Sequence, residues 1–522
     1  MPANTCRTGV VSCSTGSSVC QERAAVPDGT PCGANTVCSA GQCVDRATTR
    51  TISATFQTIY IRDDESRTIV DEPPPGDAIV KALLSPSPAT QGYAVFPVAV
   101  GADGHFEVSG VPVGQWFLQL ERPTQALSRR HLPPSSQVVP AVALQLIPIS
   151  TGTPDLTTVL AARPDLSRAR NPTPVTATFS NLEPWSPDSR LYITSAQGDL
   201  FLWLYSMRPP AGTTFISHQF DWLGMSFGPR APGLPDPTKG DSVFFYQQQL
   251  ATSVANGTIL RAVRYGRLDS LEVVDGHAAT VSVPLVEAPQ TGNVDIVLKT
   301  TDFAVLSTDV NPTAVINGVS FSISAVPHAA QYPEQPVASR RNLFSFSKRT
   351  TSDVSLVSTY GQFLGQPWQE TRLSGWLFSG EYSDEISTYV WIDDPAQIHV
   401  VTPVLGPPTQ PRINGEDAFP SRLDVGLEPM LSWSPPRLGL PSSYQVTVQM
   451  LSYSVHSGDT VSLSAVVDGT SFKIPPGFLH RERSYIALIT SRQAPWDGPT
   501  RLPLRTGVPL YTADCVTGSF EP

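Results

Sequence analysis

Proline sets the strongest limit on what this chain can fold into, with 51 of them spread along 522 residues. Inside a helix each would remove a backbone donor and clash with the carbonyl one turn back. Long helices are therefore excluded over most of the sequence. Hydrophobic residues still make up 40 %, enough to build packed cores, so this is not a disordered polymer. With 35 basic against 45 acidic residues and a formal charge of −10, the chain lacks the basic face that phosphate neutralisation requires, and nucleic acid is not expected as a partner. No stretch reaches the roughly 18 apolar residues of a membrane-spanning helix. The expected class is all-β: tandem β-sandwich domains behind a small disulfide-rich N-terminal module.

Cys6, Cys13, Cys20, Cys32, Cys38 and Cys43 crowd into the first 43 residues, among glycines and prolines with little apolar material. A segment this short cannot bury enough surface to hold itself together, so covalent closure is the natural solution. Zinc is the competing reading. It is disfavoured because there is no C-x-x-C pair and no histidine before His105, both usual in structural zinc sites. Six cysteines allow about 15 pairings and the spacing does not choose among them. Disulfides imply an oxidising compartment, yet no charged start, apolar run or lipobox precedes Cys6. The expectation is an extracellular or outer-surface protein whose export signal is absent from this sequence. Cys515 stands alone near the other end and reads as a buried thiol.

Along the chain, runs rich in Thr, Val, Ile, Phe and Tyr alternate with turn residues, the signature of sandwiches or barrels. Asp103-Gly104 and Gln197-Gly198-Asp199 read as hairpin turns, 129–156 as contributing an edge strand, and Ser53-Ala-Thr-Phe56 is echoed by Thr176-Ala-Thr-Phe179. The organisation expected is a Cys-rich module at 1–46 and sandwiches at 47–165, 170–288 and 289–405, the last also readable as half of a larger β domain. A linker at 406–422 then leads to a final sandwich at 423–522.

Three resemblances sharpen this. Residues 6–44 resemble the Cys-rich repeats common in exported proteins of myxobacteria, which implies location and no activity. The string GHFEVSGVPVGQWFLQL, 104–120, resembles the closing hairpin of carboxypeptidase-regulatory-like and related Ig-like sandwiches, modules that are structural or binding accessories. Residues 424–515 resemble a fibronectin type III domain: Leu431-x-Trp433-x-x-Pro436 around a core tryptophan, Tyr444-x-Val446-x-Val448 as the third strand, and Tyr485 after Ile474-Pro475-Pro476-Gly477 in the place of the tyrosine corner.

Candidate chemistry is sparse. Gly224-Met225-Ser226-Phe227-Gly228 fits G-x-S-x-G, but the prolines that follow forbid the helix that a nucleophile elbow requires. The eight histidines are scattered singly and no phosphate-binding glycine motif is present. No cofactor is expected. Calcium is the one exception kept open: Asp63-Asp64-Glu65, Glu381–Glu385 and Asp393-Asp394 offer it oxygen ligands, none in the EF-hand pattern, and a site assembled from separate loops would serve as well. Lys239-Gly240-Asp241 resembles an integrin-binding tripeptide but is too short to carry weight. The densest aromatic stretch is 368–391. Trp368, Trp376, Tyr382 and Trp391 are the candidate ligand-binding residues, a platform for sugar rings, against the commoner role of filling a core. The function expected is non-enzymatic: adhesion, display or recognition of an extracellular or envelope polymer, the partner being a polysaccharide or a protein. The alternatives are an accessory part of a secreted hydrolase, or a spacer.

Overall fold

The computed structural model describes the chain from Arg7 to Pro522 apart from residues 13–18, 26–30, 34–35, 40–41, 46–48, 62–66, 75–77, 85–92, 113–115, 124–141, 150–154, 161, 196, 205–206, 226–230, 252–256, 289–291, 326–340, 349–352, 361–368, 380–381, 392–396, 452–461 and 494–510. For several strands, chiefly between 315 and 391, it describes the backbone course alone. The protein is all-β, built from packed antiparallel and mixed sheets. In the head, Arg7–Ser12 pairs with Val19–Ala25, and Pro31–Gly33, Thr36–Ser39 and Gln42–Asp45 form a small sheet closed by a Cys32–Cys43 disulfide. Cys38 lies opposite Cys43 in that sheet and Cys20 lies on the preceding hairpin. Cys6 and Cys13 fall outside the described residues.

Three sandwiches follow with one wiring. The first has seven main strands, β1 (Thr49–Ile61), β2 (Ile79–Leu84), β3 (Ala94–Pro97), β4 (His105–Pro112), β5 (Trp116–Pro123), β6 (Val142–Ile149) and β7 (Asp155–Leu160), with the short segment Arg67–Asp71 paired to the end of β1. The second consists of β8 (Pro174–Ser180), β9 (Arg190–Ser195), β10 (Leu200–Trp203), β11 (Ile216–Asp221), β12 (Val243–Ala251), β13 (Gly257–Leu268) and β14 (Ala279–Pro284). The third consists of β15 (Gly292–Leu298), β16 (Val315–Ala325), β17 (Arg341–Lys348), β18 (Val354–Tyr360), β19 (Gln369–Ser379), β20 (Tyr382–Trp391) and β21 (His399–Val401). In each, the fourth strand, the first and the last form one sheet, with the first and last parallel: β4–β1–β7, β11–β8–β14 and β18–β15–β21. The other four make the facing sheet: β3–β2–β5–β6, β10–β9–β12–β13 and β17–β16–β19–β20.

The echo between residues 53–56 and 176–179 falls on equivalent first strands. Ile52, Ala54 and Phe56 on β1 match Val175, Ala177 and Phe179 on β8, and all six are buried. Each strand shows its core one residue in two, as a pleat with one buried face requires. On β15 the pattern continues through buried Ile296 and Leu298.

The fourth sandwich has β22 (Thr409–Ile413), β23 (Met430–Ser434), β24 (Ser443–Met450), β25 (Ser462–Val467), β26 (Ser471–Lys473), β27 (Tyr485–Gln493) and β28 (Tyr511–Val516). Its sheets are β22–β23–β26 and β25–β24–β27–β28, the fibronectin type III arrangement. Moving the last strand of the other wiring to the front converts one order into the other. Trp433 is buried, edge-on to Tyr444 with centroids 5.4 Å apart. The Tyr485 hydroxyl accepts from the His480 backbone N–H at 2.9 Å, which is the tyrosine corner. Cys515 is buried as a thiol, opposite Ile489.

Four readings of local sequence are corrected. The stretch 406–422, expected as a linker, holds β22, whose Pro411 lies where the pairing with β23 shifts register, the kind of position that tolerates a missing donor. The Asp103-Gly104 turn does not make a hairpin, because β3 pairs with β2 while β4 pairs with β1. The chain crosses between sheets there, and Gly104 at φ 74° brings its backbone so near Phe56 that a Cβ would lie 2.6 Å from the Phe56 carbonyl oxygen. The Val-Pro-x-Gly turn likewise joins β4 and β5 of opposite sheets. Finally, β6 is no edge strand: β5 lies on one side and β25, in parallel, on the other.

That last pairing has large consequences. Sheet hydrogen bonds run from β6 to β25, from β28 to β20 and from β17 to β13. One continuous sheet thus joins the sandwiches in the order first, fourth, third, second. Where the first meets the fourth, the sheet is buried on both faces. Ala82, Trp116, Leu118 and Ile147 enter the first core. Leu83, Phe117 and Leu146 enter the fourth, where Phe117 meets Phe472 edge-on at 6.4 Å. The Tyr93 hydroxyl donates to the Lys473 carbonyl at 2.6 Å across the same junction.

This region should be alkali-labile. Burial, and secondarily the charge of Glu428, raises the Tyr93 phenol, and burial raises Tyr444 and Tyr485. Their stabilising effect is complete below the unfolded value, about 10. It is lost as pH rises further, because the unfolded chain then releases protons that the folded one retains. Tyrosinate absorbance and circular dichroism followed together should change in one step above pH about 10. Full ionisation with native dichroism intact would contradict the assignment.

Candidate functional site

The second sandwich carries an open cleft at the end where the loops 181–189 and 204–215 meet. Its volume is about 760 Å³, and Trp185, Pro187, Trp203, Met207, Arg208 and Pro209 are among its walls. Trp203 ends β10, whose outer edge has no paired strand among the described residues. The indole is 37 % exposed, so a large apolar ring faces solvent beside an open cleft.

The hairpin turn at residues 197–199 explains how Trp203 comes to stand there. It pairs Ser195 with Leu200, and hence Tyr192 with Trp203. Tyr246 on β12 is opposite Tyr192, and Tyr265 on β13 is opposite Tyr246. Four aromatic residues therefore run straight across four strands on the face away from the core. Tyr192 and Tyr246 stack with centroids 5.0 Å apart and planes 10° from parallel, and Tyr192 and Trp203 lie 6.4 Å apart at 24°. Tyr246 is buried within this row. Such cross-strand pairs stabilise the sheet by about 0.2–1 kcal/mol each and hold Trp203 in place.

The loops are tied down equally well. Trp185 N–H donates to the Thr213 carbonyl at 2.9 Å, Gly212 N–H to the Trp185 carbonyl at 2.8 Å, and Leu182 N–H to the Thr214 carbonyl at 3.1 Å. The Gln247 amide both donates to the Glu183 carbonyl and accepts from its N–H, and Arg264 bridges to the Glu183 carboxylate at 2.9 Å. Trp185 reaches inward and belongs to the second core. These bonds fix the 181–185 and 212–214 parts of the loops to each other and to the sheet. Among the described lining residues the charged one is Arg208, and beside the cleft the Arg190 guanidinium carbon sits 5.0 Å from the centre of the Trp203 ring. On the other side of the same loops a shallower cleft of about 690 Å³ has Phe215 and Val286 on its walls, both more than half exposed.

The residues singled out from sequence are distributed differently. Trp376 lies on β19, and Tyr382 and Trp391 lie on β20, while Trp368 is outside the described residues. The register pairs position 376 with 385, 382 with 379 and 391 with 370. By strand alternation, positions 376 and 391 share one face of the sheet and 382 belongs to the other. Gly224 and Met225 lie in a short 3-10 turn after β11, and Ser226–Gly228 are outside the described residues. Asp241 of the Lys-Gly-Asp tripeptide is buried against Arg163, so it offers nothing to a receptor. Among the described residues no three His, Cys, Asp or Glu side chains converge as a metal site, and no helix is long and apolar enough to cross a membrane. Asp63, Asp64, Glu65, Asp393 and Asp394, considered for calcium, lie outside the described residues.

Trp203 and Trp185 escaped notice because aromatic density drew attention to 368–391. The available signal was the Gln197-Gly198-Asp199 turn, which sets the two strands of one hairpin side by side; the register that puts Tyr192 opposite Trp203 is fixed by the pairing of Ser195 with Leu200.

No family model and no curated protein matches this chain. Among solved structures, it is similar to the FN1–FN3 domains of chicken CNTN1, at 11 % identity over 67 % of this chain and 97 % of that one, TM-score 0.13. It is also similar to BcpA, the major pilin subunit of Bacillus cereus, at 11 % identity over 68 % and 99 %, TM-score 0.14. A leucine-rich repeat protein from Bacteroides thetaiotaomicron VPI-5482 matches at 11 % identity over 45 % of this chain, TM-score 0.12, and the match spans 26 % of that protein's length. At these scores the backbones do not superpose as wholes.

Proposed function

We propose that this is a non-enzymatic, exported or cell-surface protein that recognises an extracellular or envelope polysaccharide through the tryptophan-walled cleft of its second sandwich. The observation that carries the reading is Trp203: a large, partly exposed ring on an open edge strand, beside a cleft of about 760 Å³ whose loops are fixed by backbone hydrogen bonds. A flat ring offers its face to the C–H face of a sugar, and a preformed cleft loses little entropy on binding. The Cys32–Cys43 disulfide supports an oxidising compartment. The lateral joining of the sandwiches through one sheet weighs against a pure spacer, which gains reach from domains set end to end.

The test is a screen of the oxidised protein for saturable binding to a panel of polysaccharides and envelope fractions. Trp203→Ala should fold normally and weaken binding at least about tenfold, since the loss of one buried aromatic contact is commonly worth 2 kcal/mol or more. Trp376→Ala in the same screen tests the sheet face that carries positions 376 and 391. Binding unchanged in Trp203→Ala would remove the cleft from consideration.

A further inference from the structure

We infer that the ligand of this cleft is an acidic polysaccharide, whose sugar stacks at Trp203 while its carboxylate is met by Arg208 and Arg190; this rests on the polysaccharide reading above. Arg208 lines the cleft, and among the described residues no acidic side chain does. Arg190, two residues before Tyr192 on β9, lies over the Trp203 ring. Neither guanidinium forms an ion pair among the described residues. The arginines nearby that point elsewhere are paired, Arg264 with Glu183 and Arg267 with Asp269. Arg208 and Arg190, beside the partly exposed indole, are thus cations with no such pairing among the described residues.

A planar guanidinium matches a carboxylate with two parallel donors. The chain's net charge of −10 repels a polyanion at a distance. At physiological salt, however, that repulsion is screened within about 8 Å, so the local arginines decide the contact. A neutral glycan would leave both without an anionic partner, Arg190 keeping only its contact with the Trp203 ring. A proline-rich peptide would also fit an aromatic wall, but would make no use of them.

The experiment is calorimetric titration of the full oxidised chain with polygalacturonate, the same polymer after carboxyl reduction, and a proline-rich peptide. Polygalacturonate should bind at least about tenfold tighter than its reduced form, the scale of one charge-assisted hydrogen bond, and should weaken as salt is raised. Arg208→Gln should abolish that preference while leaving any binding of the reduced polymer unchanged. Arg190→Lys, which keeps the charge but not the planar fork, should lose part of it and guards against a folding defect. Equal binding of both polymers, unaffected by Arg208→Gln, overturns the acidic assignment and leaves the polysaccharide reading standing. Binding of neither polymer overturns both, and saturable binding of the peptide at the cleft replaces them.

Discussion

Phe117→Ala is expected to cost about 3–5 kcal/mol, the range for truncating a buried aromatic ring, and to loosen two sandwiches at once. Phe117 belongs to β5 of the first sandwich, yet its side chain sits in the core of the fourth, against Phe472. Its neighbours Trp116 and Leu118 point the other way, into the first core. Removing the ring therefore leaves a cavity in the fourth core at its junction with the first sandwich. Denaturation followed by two probes, one for each sandwich, should show midpoints that coincide in the parent and separate in the variant. Coincident midpoints with stability unchanged would falsify the coupling.

The second large effect concerns the entry to the second sandwich. Arg163 and Asp241 are buried, 3 % and 0 % exposed, with Nε 2.9 Å from Oδ2. Asp241 also accepts the Asp236 backbone N–H at 2.8 Å. Burial alone would lower the Arg163 pKa, but hydrogen bonds to Asp165 and Asp241 outweigh it and hold the group above its ordinary value. Asp241→Ala would leave a buried guanidinium with one half-exposed partner, Asp165, at a cost of about 3–5 kcal/mol. Replacing Arg163 and Asp241 together by Met and Leu should recover most of that loss, because the cost lies in the orphaned charge. If the single variant loses under about 1 kcal/mol, as an exposed pair would, the burial assigned to this pair is wrong. Lys239 first, then Arg163, hold the Asp165 carboxyl down at about 2, below its ordinary 3.8. Its share of the stability is present above the ordinary value and disappears as pH falls through the lowered one.

The local grammar of the fold was legible. Alternating residues such as Val175, Ala177 and Phe179 can bury one face only as a strand. Trp433 and Tyr485 have the spacing of a fibronectin type III core, and both are buried with the expected contacts. The echo between residues 53–56 and 176–179 marked two first strands with the same role. The turn at 197–199 made its hairpin because the strands on both sides share one sheet. The turn at Asp103-Gly104 looks the same in sequence and did not, because its two strands have different partners. A turn signal states that the chain reverses; it carries no information on which sheet receives the next strand.

The candidate site was legible in part. Aromatic residues on strands were the right chemistry, but density along the chain is a poor guide to proximity on a sheet. Trp203, Tyr192, Tyr246 and Tyr265 are separated by up to 73 residues in sequence and lie in one row. The closely spaced 376 and 382 belong to opposite faces.

Composition and pattern alone determined that this chain would be β-rich, built of sandwiches and stapled at its head, because prolines exclude long helices and alternation selects strands. Only the tertiary structure decided that β6 would pair with β25, that the fourth sandwich would stand between the first and the third, and that an unremarkable Trp203 would wall the cleft. The first two outcomes depend on backbone hydrogen bonds between strands more than a hundred residues apart, and the third on how the loops at one end of the second sandwich meet. Every residue but proline offers the same N–H and C=O, so side-chain identity does not say which edges will meet.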